Sequence, residues 1–287
     1  MDVRRRLTFA LIAAACVALL EFWGAAASHS LALMSDAVHV CTDVLALAVA
    51  LIATIGAARP ADPRRTFGYG RIEVLGALLN GTLLLVATLV IVYEAARRFE
   101  NPIEPAAMLM TAVAAVGFAV NGGVGLLLRR SSRSDLNVRA ALFHVVGDAL
   151  GGAAVIAGGI AIAITHRAWI DPLLSLFVAT IIVIGVMRVL RDATNVLLES
   201  VPSDVDSADL SRHIGRIPGV IGVHDLHVWS IASGSHALSA HVQLDDRRLS
   251  EATEVLRDID ECVKAHFGIA HLTIQFECEN CPIPVEH

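Results

Sequence analysis

The sequence predicts an α-helical membrane protein, with six transmembrane helices followed by a cytoplasmic ferredoxin-like αββαβ domain. Three observations predict this class. First, 55% of the 287 residues are hydrophobic and only 17% are charged, against about 25% charged residues in soluble domains. Second, six apolar segments have the roughly 20 residues that a bilayer span needs. Third, charged residues return after about Glu199, so we expect a membrane domain over 1–198 and a second domain over 199–287.

The six predicted spans are joined by short connections. Arg4, Arg5 and Arg6 precede the first span, as they would in a signal peptide. No convincing small-residue cleavage site follows, and the chain leads directly into the second span, so we expect the first span to be retained. The predicted spans are Leu7–Ala27, Leu31–Ala57, Ile72–Ala96, Pro105–Leu128, Val138–Thr165 and Ile170–Leu190.

The arginine residues predict the orientation of these spans. With a cytoplasmic N-terminus, the outer connections hold only Arg97, Arg98 and Arg167, and the inner side holds most of the others. The positive-inside rule therefore favours N- and C-termini in the cytoplasm. Trp23 and Trp169 then fall near the outer interface, where indole rings commonly anchor. We expect an integral protein of a bacterial inner membrane.

The segment after Glu199 has alternating patterns of apolar residues. These patterns predict a helix, two strands joined by a turn that contains Gly234, a second helix and a third strand. The order αββαβ is that of a small open ferredoxin-like sandwich. The predicted elements are Ser203–Arg216, Val220–Ile231, Ser235–Leu244, Leu249–Phe267 and Ala270–Glu277.

Two of the apolar spans contain the same pair of ionisable residues. The second span contains His39 and Asp43, and the fifth contains His144 and Asp148. Residues four positions apart lie on one face of a helix, and an ionisable residue within a span indicates a functional site. Two imidazoles and two carboxylates form a tetrahedral ligand set whose charge matches that of Zn²⁺. The sequence therefore predicts a divalent-metal site among the spans.

A single pair of this kind has a simpler explanation, which is a hydrogen-bonded contact between two helices. The occurrence of an identical pair in a second span favours the metal site. Glu21 and Asn80 are also polar residues within spans, and hydrogen bonds between helices explain them at least as well as a function does. Asp36 is a further acid near the start of the second span, where a helix cap and an outer vestibule are the two interpretations.

The chain contains several longer motifs: Ser30–Leu33 followed by Asp36–His39 and Asp43, then Phe67–Glu73, Leu198–Pro202 and Val223–Trp229. These motifs resemble those of the cation diffusion facilitator family. The resemblance covers nearly the whole chain, and it implies a homodimeric metal/proton antiporter that exports metal from the cytoplasm. It also implies that His39, Asp43, His144 and Asp148 occupy the family's transport-site positions.

The tail contains further candidate metal ligands. By resemblance, His224 and His241 are cytoplasmic ligands, with Glu277 as a third. Apolar residues alternate along the second predicted strand, so His241 should project from its opposite face. Cys278 and Cys281 have the CxxC spacing of zinc and redox sites; His271 is a possible partner for them, and free thiols are the alternative. One departure from many relatives is that neither the N-terminus nor the connection at Arg129–Arg133 contains histidine.

We therefore expect a transporter rather than an enzyme: a proton-coupled antiporter that exports Zn²⁺ by alternating access, with Co²⁺, Cd²⁺ or Fe²⁺ as alternative substrates. Expected partners are the metal ion, protons, the bilayer and a second copy of the chain. Zn²⁺ is also an expected regulatory ligand of the tail, and no catalytic cofactor is expected. The net charge of −6 argues against nucleic-acid binding. Two alternatives are an intramembrane zinc hydrolase, although the chain has no HExxH motif, and a metal-sensing signalling protein.

Overall fold

The computed structural model describes residues 3–57, 61–129, 136–232, 234–245 and 247–278. Within these ranges, the side chains of residues 3–10, 43, 46–57, 127–129, 136–146 and 249 lie outside the description. The side chains of Asp43 and His144 are among them, and Cys281 lies beyond the described residues.

Six long helices precede a small α/β domain, which confirms the predicted fold class. Five of them have described stretches that are long and apolar enough to cross a bilayer, and α2 has a shorter described apolar stretch, Leu31–Thr42. Several helices are longer than the predicted apolar segments, because the helical backbone continues into the polar residues that flank each segment. The helices are α1 (Val3–Ser28), α2 (Leu31–Ala57), α3 (Arg71–Glu100), α4 (Ala107–Arg129), α5 (Leu136–Thr165) and α6 (Ile170–Leu197).

The first of two compact units comprises residues 1–50 and 79–190. Within it, α4 packs against both α5 and α1, and the shared core includes Met110 and Val155. A second apolar cluster joins α3 to α6 through Leu84 and Ile182. Large apolar side chains also cover the outside of these helices, as lipid-facing surfaces require.

The second compact unit comprises residues 51–78 and 191–287. Its three-stranded sheet has the order β1-β2-β3, with β1 and β2 antiparallel and β2 and β3 parallel. This arrangement confirms the predicted αββαβ order. The elements are α7 (Ser207–Ile214), β1 (Val220–Ala232), β2 (Ser235–Leu244), α8 (Leu249–Phe267) and β3 (Ile269–Cys278).

Alternation along β2 builds the core of this unit. Leu238 and Val242 are fully buried, together with Ile259 from α8, whereas His241 between them stays partly exposed, as predicted. Helix α7 begins four residues later than predicted, because the side chain of Asp206 accepts hydrogen bonds from the backbone of the first turn and thereby caps the helix.

The segment between α2 and α3 belongs to the same compact unit as the tail. Arg71 donates a hydrogen bond to Glu199, with 2.8 Å between Nη2 and Oε1. The ring of Phe67 meets His271 edge-on, with 5.7 Å between centroids. The hydroxyl of Tyr69 donates to Asp62, and this hydrogen bond is the main cause of the lowered pKa of Asp62. Polar contacts therefore order this connection.

Replacement of Ile259 by alanine should destabilise the tail, because it removes a fully buried side chain. We expect the free energy of unfolding to fall by about 2–5 kcal/mol. The fluorescence of Trp229 during urea unfolding measures this, in a chain whose other tryptophans are replaced by phenylalanine. The matched control is Leu256→Ala on the same helix, where the side chain is 37% exposed. Equal losses in the two variants would contradict the packing described here.

Candidate metal sites

One histidine and one aspartate from different helices face each other in the first compact unit. His39 comes from α2 and Asp148 from α5, and 3.8 Å separates His39 Nε2 from Asp148 Oδ1. The Asp148 side chain is 6% exposed and that of His39 is 33% exposed. The pair therefore joins two apolar helices through groups that can each bind a metal ion.

The spacing of this pair suits a shared metal ion. Two ligand atoms at ordinary zinc distances and a tetrahedral angle lie about 3.4 Å apart, a few tenths of an ångström less than the observed separation. Asp43 follows His39 by one helical turn in α2, and His144 precedes Asp148 by one turn in α5. Because the side chains of Asp43 and His144 are not described, the full set of four ligands stays a prediction.

A second cluster is formed by the three strands of the tail. His224 and His241 are cross-strand partners on β1 and β2, and their rings lie edge to face with 5.3 Å between centroids. Glu277 comes from β3 and has a largely buried side chain, 9% exposed. One carboxylate oxygen lies 3.0 Å from His224 Nε2, and the other lies 3.0 Å from His241 Nδ1.

This cluster has the composition and size of a metal site. One ligand atom from each of the three residues lies within 4.8 Å of the others. Within the described part of the chain, these residues form the one group of three or more His, Cys, Asp or Glu ligands at such distances. Two imidazoles and a carboxylate leave a fourth position open on a tetrahedral zinc ion. The structure thus brings together the three tail residues that the resemblance implied.

Asp225 is a neighbour of this cluster that the sequence analysis missed. Strand alternation places it on the opposite face from His224, but the register of β1 shifts between His224 and His227, and Asp225 has a positive φ of 49°. This bulge turns its carboxylate to 3.6 Å from His241 Nε2. A hydrogen bond with His227, 2.9 Å long, is the main cause of the lowered pKa of Asp225. Asp225 is therefore ionised at neutral pH, beside the cluster.

The remaining tail candidates lie apart. His271 and Cys278 are near opposite ends of β3, about 23 Å apart along the strand at 3.3 Å per residue. The structure therefore does not bring His271 to the cysteine pair. Cys278 is disulfide-bonded, and Cys281 lies outside the described residues. A metal site at these cysteines stays a prediction.

Comparison with known protein families finds a match for each of the two parts of the chain. The cation efflux transmembrane domain matches residues 7–198, and the cytoplasmic domain of cation efflux proteins matches residues 202–279. The chain belongs to the cation efflux family. This membership confirms the family that the motifs resemble.

Curated relatives of this cation efflux protein are similar over most of their length. The chain is 39% identical to a cadmium, cobalt and zinc/H(+)-K(+) antiporter of Bacillus subtilis, over 91% of this chain and 85% of the relative. It is 39% identical to the metal cation efflux system protein CzcD of Cupriavidus metallidurans, over 96% and 87%. It is 38% identical to the zinc transporter ZitB of Escherichia coli, over 99% and 90%.

Among solved structures, the metal-bound C-terminal domain of the CzcD transporter is 40% identical. The match covers 25% of this chain and 99% of that one, with a TM-score of 0.24. The curated relatives bear the names of transporters, so the prediction of a metal cation efflux transporter rather than an enzyme is confirmed.

Substitution of Glu277 by glutamine should weaken zinc binding to the tail by at least about tenfold, because one carboxylate oxygen that faces an imidazole is lost. Isothermal titration of the purified full chain with Zn²⁺ measures this, in an Asp148→Asn background that removes a candidate ligand of the membrane site. The control is Glu254→Gln, which changes an exposed acid on α8. This variant should bind Zn²⁺ with the same affinity as the Asp148→Asn protein. Unchanged affinity in Glu277→Gln would exclude this carboxylate as a ligand.

Proposed function

We propose that the chain is a homodimeric antiporter that exports Zn²⁺ from the cytoplasm in exchange for protons. Co²⁺, Cd²⁺ and Fe²⁺ are alternative substrates, because imidazole and carboxylate ligands also suit these ions. His39, Asp43, His144 and Asp148 bind the transported metal. Residues 1–198 transport it by alternating access, and residues 199–287 bind regulatory metal and dimerise.

One observation supports this proposal more than any other. His39 and Asp148 approach to 3.8 Å from two different apolar helices, and each belongs to a His/Asp pair with helical spacing. A group that ionises inside a membrane is costly unless it is paired or binds an ion. A metal ion held between α2 and α5 explains why both pairs occur. The printed names of the relatives, which mention zinc, cadmium and cobalt, agree with this substrate class.

Proton exchange follows from the chemistry of the same ligands. Metal binding requires neutral histidine and ionised aspartate, so protons and metal ions compete for these side chains. An outward-facing site in a more acidic medium gains protons and releases metal. An inward-facing site loses those protons to the cytoplasm and binds metal again. The name of the Bacillus subtilis relative also includes H(+) and K(+), so potassium is a second counter-ion to measure.

The tail has a regulatory role in this proposal. The cluster of His224, His241 and Glu277 lies entirely within the tail and is built by all three strands of one sheet. Metal that binds the dimer more tightly than the monomer strengthens the dimer by linkage. The positive-inside rule favours termini in the cytoplasm, so in this proposal the cluster responds to cytoplasmic metal.

Removal of either membrane aspartate should abolish transport. We expect Asp43→Ala and Asp148→Ala to lower the initial rate of Zn²⁺ flux by at least about 10- to 100-fold, because each substitution removes a metal ligand. Flux into proteoliposomes that contain the purified full chain measures this. Asp192→Ala on α6 is the control, since that side chain is exposed and should leave the rate unchanged. Wild-type flux in either variant would refute the assignment of the transport site.

A further inference from the structure

Three helices of the first compact unit meet at one buried carboxylate. Asp171, in the first turn of α6, is fully buried. Its Oδ1 accepts hydrogen bonds from Ser30 Oγ at 2.6 Å and from the Ala32 backbone N–H at 3.2 Å. Its Oδ2 accepts from the Leu31 backbone N–H at 2.8 Å and from Arg98 Nη1 at 3.3 Å. A single side chain of α6 therefore binds the start of α2 and the end of α3.

These bonds satisfy the first turn of α2. The first backbone N–H groups of a helix have no partner within the helix, and here Asp171 accepts from two of them. A third, that of Leu33, donates to Ser30 Oγ at 3.2 Å. A negative charge at this end is also favoured by the helix dipole. The start of α2 is thus fixed in position and in rotation about its axis by a residue of another helix.

Arg98 completes the junction from α3. Its side chain is 12% exposed, and Nη1 also donates to the carbonyl of His29 at 2.6 Å. His29 has a positive φ of 54°, so this bond holds a sharp turn between α1 and α2. Arg98 neutralises Asp171, but it binds none of the N–H groups of α2 that Asp171 binds. The two residues of one ion pair therefore have different contacts with α2.

The junction lies close to the candidate transport site along a rigid element. His39 follows Leu31 by eight residues in the same helix, which is about 12 Å at 1.5 Å per residue. A rotation or shift of the first turn of α2 therefore moves His39 relative to Asp148 on α5. A misplacement of about 1 Å can cost as much as a hundredfold in activity at a site that needs converging groups.

We propose that Asp171 is a positioning residue for metal transport. It holds α2 in the rotation and height at which His39 meets Asp148, and so sets the affinity of the site for its metal. The inference rests on the proposed function, since it concerns the same site. If the ion pair only stabilised the fold, replacing Asp171 or Arg98 would change metal binding equally. The positioning role predicts that replacing Asp171 changes metal binding more.

The test compares both members of the ion pair in the full chain, reconstituted in proteoliposomes. We expect Asp171→Asn to raise the KM for Zn²⁺ by about tenfold, with a smaller change in maximal rate, because the site binds metal less well. We expect Arg98→Gln to lower the Tm but to leave the KM within about twofold of wild type. Thr88→Val on α3 is the control, since that buried hydroxyl donates to the Leu84 carbonyl of its own helix, and its KM should not change.

Other results would overturn the inference. An unchanged KM in Asp171→Asn, or equal KM changes in Asp171→Asn and Arg98→Gln, would reduce Asp171 to a structural residue. If Asp171→Asn does not fold, Ser30→Ala decides, because the Ser30 hydroxyl just before α2 donates to Asp171 and accepts from the Leu33 backbone N–H, so its removal weakens the contact between Asp171 and the first turn of α2: a raised KM supports the role and a wild-type KM refutes it. Asp148→Ala is measured alongside. Wild-type zinc flux in Asp148→Ala would refute the proposed function. An unchanged KM in Asp171→Asn would refute only the positioning role of Asp171.

Discussion

An ionisable side chain among apolar helices is costly unless it is paired with other protein groups, binds an ion or faces a water-filled cavity. The first compact unit depends on this constraint. Asp171 finds four hydrogen-bond donors on α2 and α3, and His39 lies within 3.8 Å of Asp148 across α2 and α5. Apolar packing between these helices has little directional preference, whereas hydrogen bonds and ion pairs do. The polar groups therefore determine where α2 sits relative to its neighbours.

The two candidate metal sites use the same chemistry in different surroundings. Each combines imidazole with carboxylate from separate elements: two helices in the first compact unit, and three strands in the tail. In the tail, His224 and His241 both contact Glu277, and His241 also contacts Asp225, so these side chains are paired before any metal binds. In the proposed function, the ligands among the spans depend on each other and on the exchanged ions. This difference supports the proposal that the membrane site transports metal and that the tail site regulates transport.

Sequence patterns predict the parts that depend on periodicity and composition. Apolar length indicates the spans, alternation along β2 indicates the buried face, and the repeated His/Asp spacing indicates the membrane site. The remaining features depend on contacts between distant residues. In the sequence, Asp171 is indistinguishable from any other acid in the first turn of a helix. Only the structure shows that it accepts hydrogen bonds from the start of α2. Asp225 reaches His241 only through a bulge in β1, and Asp206 moves the start of α7 by capping it.

Exchange of metal for protons at one membrane site is measured most directly by recording both ions together. Proteoliposomes with the full chain and an internal pH indicator are given a Zn²⁺ gradient, with the membrane potential clamped. We predict proton movement opposite to the zinc movement in the wild-type protein, and neither movement in Asp148→Ala. Zinc flux through the wild-type protein without any accompanying proton movement would contradict the account.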